Sequence, residues 1–67
     1  MKVGDRIRVN ENGTGTSLGG VLTKEGHEGV VIDLPSDFIA VDLDGITRNH
    51  GVFGDGWWFF PDELELI

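Results

Sequence analysis

Cysteine and tyrosine are both missing from this 67-residue chain, and lysine plus arginine together number only five. Without cysteine there is no disulfide staple and no thiolate nucleophile, which suits a reducing compartment. The shortage of cations argues against direct nucleic-acid binding, whose affinity comes mostly from neutralising phosphates. No run approaches the roughly 18 to 20 apolar residues that span a bilayer. The opening Met1-Lys2-Val3-Gly4-Asp5 has no apolar signal region, so it reads as the start of a soluble, cytoplasmic protein. A helical period long enough for a real helix is absent as well.

What the chain has in abundance is acid and glycine. Twelve acidic residues give a formal net charge of −7. Such a surface aids solubility and can also attract a basic protein patch or imitate a polyanion. Eleven glycines punctuate short apolar runs. In Lys2 to Val9 the odd positions Val3, Ile7 and Val9 are apolar while Arg6 and Arg8 take the other parity, so residues 4–9 read as a half-buried first strand. Residues 10–26 are rich in Asn, Gly, Thr and Ser and read as a long loop or irregular hairpin. The stretch Gly13-Thr14-Gly15-Thr16-Ser17-Leu18-Gly19-Gly20 lacks the Lys-Ser/Thr ending and following helix of a phosphate loop.

Residues 27–34 read as a second strand whose glycine entry, Gly29, is a bulge or a close backbone approach. Pro35-Ser36-Asp37 is a turn with Pro expected at its second position. Residues 38–43 form a third strand with Ile39, Val41 and Leu43 inward and Phe38 outward or at an edge. Asp44-Gly45 turns the chain, and residues 46–56 read as a second long loop. Trp57-Trp58-Phe59-Phe60 is the fourth strand. A 3₁₀ turn from Pro61 precedes a short fifth strand at residues 65–67, because Pro fits a first helical position and Asp62 and Glu63 suit a helix N-terminus. Short strands joined by glycine-rich turns predict a small all-β barrel, in one domain.

Several segments carry a family resemblance. Val3-Gly4-Asp5-Arg6-Ile7-Arg8-Val9 resembles the first strand of small SH3-like barrels of bacteria and plastids, and Gly26-His27-Glu28-Gly29-Val30-Val31 is similar to their second-strand entry, shared with KOW-type motifs. Ile39-Ala40-Val41-Asp42-Leu43-Asp44-Gly45 and Phe59-Phe60-Pro61-Asp62-Glu63-Leu64-Glu65-Leu66 resemble the third strand and the ending of two such families, the small SH3-like component of photosystem I and the variable chain of ferredoxin:thioredoxin reductase. The resemblance covers most strands and neither long loop. It implies a five-stranded SH3-like barrel and places Phe59 in the core, hence Trp57 inward and Trp58 and Phe60 outward. The photosynthetic families meet acidic ferredoxin through basic surfaces, a docking that a charge of −7 opposes. Asp55-Gly56-Trp57-Trp58 and Phe60-Pro61 also resemble motifs of signalling SH3 domains, but without tyrosine a groove for PxxP peptides is not expected.

His27 and His50 have no partner spacing for metal or catalysis, and Asp42-Leu43-Asp44-Gly45 has too few oxygen ligands for a calcium loop. No nucleophile, paired carboxylates or cofactor motif is found, so the expectation is a non-enzymatic module without cofactor or metal. The candidate surface is an outward aromatic patch, Trp58 and Phe60 with Phe53 or Phe38 nearby and Asp55, Asp62 and Glu63 at its rim. Its function would be protein–protein interaction, as an accessory protein of bacterial or phage type. The alternatives are an acidic nucleic-acid mimic that inhibits a DNA- or RNA-handling protein, and an accessory subunit of a redox enzyme using Arg6, Arg8 and Arg48. Against the aromatic patch stands burial of Trp58 and Phe60 beneath a long loop of the protein itself.

Overall fold

The computed structural model describes residues 1–16, 22–46, 50–51 and 54–67. Its frame is a curled antiparallel sheet of five strands: β1 (Arg6–Val9), β4 (Glu28–Asp33), β5 (Ile39–Leu43), β8 (Trp57–Phe59) and β9 (Leu64–Leu66). They stand side by side in the order β8, β5, β4, β1, β9. Two smaller antiparallel pairs join β2 (Gly15–Thr16) to β3 (Leu22–Thr23) and β6 (His50–Gly51) to β7 (Gly54–Asp55). Among the described residues there are also two 3₁₀ turns, Glu11–Gly13 and Pro61–Glu63. The all-β expectation therefore holds, and the first, second, third and fourth strands fall within the stretches that alternation assigns to them. The last strand begins a residue early, at Leu64. Among the described residues, no helix is long and apolar enough to cross a membrane.

Period-two alternation builds the core. Ile7 and Val9 point inward from β1 and are wholly buried, while Arg6 and Arg8 point out. Val31, Ile39, Val41, Leu43, Phe59 and Leu64 complete the same cluster, with Ile46 and Trp57 packed at its margin. Each fully buried side chain of this size contributes about 1.5–3 kcal/mol relative to exposure, and together they are the main stabilising term of a domain this small.

Gly29 is a close approach, as its place at the strand entry suggests. A Cβ there would lie 2.6 Å from the Asp42 carbonyl oxygen and 2.8 Å from a Val41 methyl. The bulge lies further on, between Val31 and Asp33, where the β4–β5 register shifts. That shift bends β4 and delivers the chain into the turn before Phe38.

Two expectations about connections are corrected. Pro35 occupies the first position of its turn, not the second: its carbonyl accepts the Phe38 N–H at 3.0 Å, which leaves Ser36 and Asp37 as the central pair. Ser36 takes φ 52°, the left-handed region suited to the first centre of a hairpin-type turn, and Pro's fixed negative φ excludes it from that position. The second long loop, residues 46–56, also contains a pair of strands, β6–β7, whereas the β2–β3 pair within residues 10–26 meets the irregular-hairpin reading of that segment. Two residue pairs apiece are too short to show as alternation.

Candidate functional site

The aromatic run divides as strand geometry demands. β8 pairs with β5 so that Ile39 faces Phe59, Ala40 faces Trp58 and Val41 faces Trp57. Phe59 thereby joins the core and is fully buried, and Trp57 packs against that core from the edge strand, half-buried. Its indole Nε1 is buried without a hydrogen-bond partner among the described residues.

Trp58 and Phe60 take the opposite face, where Phe38 meets them both. The Phe38 and Trp58 rings stack with centroids 5.6 Å apart and planes 25° apart. Phe38 and Phe60 are tilted by 45° with centroids 5.0 Å apart. Continuing the β5–β8 register one step puts Phe38 directly opposite Phe60 and diagonal to Trp58. Ala40, opposite Trp58, is small enough to leave room for these rings and is itself buried. The cover expected of a long loop is thus supplied in part by a neighbouring strand's own phenylalanine. Phe60 stays open, with 46% of its surface exposed.

Beside Phe38 and Phe60 lies an open depression of roughly 700 Å³. One wall is the turn carrying Leu34, Ser36, Asp37 and Phe38, and the other is Phe60, Pro61 and Asp62. Met1 lines it as well. The N-terminus is brought there by the bond from Gly4 N–H to the Val31 carbonyl and by the turn between Lys2 and Asp5. Leu34 and Met1 are both exposed, so the depression is walled by apolar side chains that water reaches.

The wall at Phe60 is held by a lock between the two 3₁₀ turns. Asn10 donates through Nδ2 to the Asp62 carbonyl at 2.7 Å and accepts through Oδ1 from the Asn12 N–H at 2.8 Å. Its own N–H donates to the Glu63 carbonyl at 3.0 Å. Gly13 lies so close to this turn that a Cβ would stand 2.8 Å from the Glu63 carbonyl oxygen and 2.7 Å from a Val9 methyl. Glu63 Oε1 accepts the Phe60 N–H at 2.6 Å, so this carboxylate caps the turn that presents Phe60.

Of the residues expected at the surface, the structure brings together Trp58, Phe60, Phe38 and Asp62, and gives Glu63 a capping bond at their edge. Asp55 lies on β7 opposite His50. Phe53 lies outside the described residues, as does Arg48. Met1, Leu34, Asp37 and Pro61 are additions that the sequence does not place at the surface patch. Pro61 and Asp37 are legible only as turn residues, and nothing in a local pattern joins the chain's first residue to its sixtieth.

Farther across the same outward face, over β1 and β4, lie the described ion pairs. Arg6 binds Asp44 at 2.7 Å and Glu28 at 3.3 Å. The guanidinium holds the Asp44 carboxyl below its ordinary range, and Asp44 in turn raises Arg6. The His27 ring Nε2 lies 3.0 Å from the Asp44 carbonyl oxygen. Arg6 is therefore engaged within the protein. Compared with family models, curated proteins and solved structures, the chain has no match.

Proposed function

We propose that this chain is a non-enzymatic, SH3-like interaction module that docks a protein partner in the depression beside Phe38 and Phe60. The antiparallel order β8, β5, β4, β1, β9, with a 3₁₀ turn before the last strand, supports the SH3-like reading. The observation that carries the docking reading is the exposed Phe60 ring, which leans on Phe38 beside an apolar-walled hollow on a small protein. Aromatic anchors in a concavity with a polar rim are where interface energy concentrates. The half-buried Trp58 stacks on Phe38 and holds that ring in place, which lowers the ordering cost of binding.

Selection of a displayed random-peptide library on the immobilised protein tests this. Clones should be enriched on the wild type and lost on Phe60→Ala, a variant that keeps its fold because the ring is already half in water. Clones that bind the variant equally well would place the docking surface elsewhere.

A further inference from the structure

We infer that the occupant of the depression is a cationic polypeptide segment: an apolar side chain seated against Phe38 and Phe60, flanked by lysine or arginine that reach Asp37 and Asp62. The inference rests on the docking reading above and adds the chemistry of the partner.

Five observations point the same way. Asp37 and Asp62 both line the depression, one on the turn after β4 and the other on the 3₁₀ turn after Phe60. Among the described residues, no lysine or arginine lines it. Both aspartates are exposed, and neither takes part in the ion pairs of the described residues, which belong to Arg6 with Glu28 and Asp44. Asp62 contributes its backbone carbonyl to the lock with Asn10 and Asn12, which fixes the backbone that carries its carboxylate. The rim charge has the sign of the whole chain, net −7, so the long-range field and the local carboxylates both favour a cation and both oppose an acidic partner.

An apolar anchor accounts for the hollow, and flanking cations account for its two walls. Rim pairs of this kind are screened by salt, so they add selectivity and speed of encounter more than affinity.

The same peptide selection, read for composition, decides the matter. Clones enriched on wild type over Phe60→Ala should carry an excess of lysine and arginine over aspartate and glutamate. Synthetic peptides of those sequences should bind Asp37→Asn/Asp62→Asn about tenfold more weakly than wild type, with a shallower dependence on sodium chloride. Both positions are exposed, and among the described residues their carboxylates make no hydrogen bond, so the variant folds. If the enriched clones depend on Phe60 but show no basic excess, or bind the double variant unchanged, docking stands and the cationic occupant is wrong. If no clone distinguishes wild type from Phe60→Ala, the docking reading falls and this inference falls with it.

Discussion

Trp57 and Phe59 lie two positions apart on the same face of β8, yet they are not equivalent. Phe59 is enclosed by the core, so Phe59→Ala should cost about 3–5 kcal/mol and leave the domain largely unfolded. Trp57 is half-buried at the margin and carries a buried N–H with no acceptor among the described residues, a liability of about 1–3 kcal/mol that a phenyl ring would not have. Trp57→Phe trades lost packing against that relief and should shift stability by less than about 1.5 kcal/mol in urea denaturation. A loss as large as that of Phe59→Ala would show that the indole N–H is bonded in solution. Asp44 is the other informative residue. Its carboxyl is depressed from the ordinary 3.8 by Arg6, so the stabilisation is present above that value and disappears as pH falls through the lower folded-state value. The acid limb of the stability curve should therefore flatten in Asp44→Asn. An unchanged acid limb would mean that the pair contributes nothing, which is common for exposed ion pairs.

At the level of elements, the two 3₁₀ turns act as one unit, and the geometry of Phe60 depends on it. Asn10 ties the end of β1 to the turn that follows Phe60, and Gly13 permits the turns to touch. Gly13→Ala should cost about 1–3 kcal/mol, because both Val9 and the Glu63 carbonyl must give way to the new methyl. The same variant should move the Phe60 and Asp62 resonances in a heteronuclear NMR spectrum more than those of β4. Changes confined to residues 10–16 would separate the lock from the candidate site. Here, too, the sequence is least readable. Alternation places Ile7, Val9 and Val41 in the core, since a period of two needs only neighbours to be seen; in the run Trp57-Trp58-Phe59-Phe60 it shows only that two rings face in and two out, and the choice of Phe59 for the core comes from the family resemblance. The tie from Asn10 to Asp62 spans 52 positions and leaves no local trace. Pro35-Ser36-Asp37 suits either of two turn registers, one step apart, until the bond from the Phe38 N–H is known. Parity alone turns Phe38 outward, but only the β5–β8 register reveals it as the ring that joins Trp58 to Phe60.

For the whole molecule, the charge is unevenly used. Arg6, one of five cationic side chains, is bound up with Asp44 and Glu28, while Asp37 and Asp62 stand beside exposed aromatic surface. This division separates the part of the outward face over β1 and β4, where ion pairs form, from the part beside β5 and β8 with an open hollow. It also explains why the outward half of the aromatic run need not be a defect in so small a protein: Phe38 supports Trp58 and Phe60 at modest cost in exposed area. The central claim is that this hollow is where a partner binds. The most direct measurement is a map of amide shift changes as ¹⁵N-labelled protein is titrated with a peptide selected on the wild type. The account predicts the largest changes at Leu34, Asp37, Phe38, Phe60 and Asp62, with small ones at Arg8 and Glu65 on the β1–β9 side. Changes centred on Arg8 and Glu65, with Phe38 and Phe60 unmoved, would contradict it.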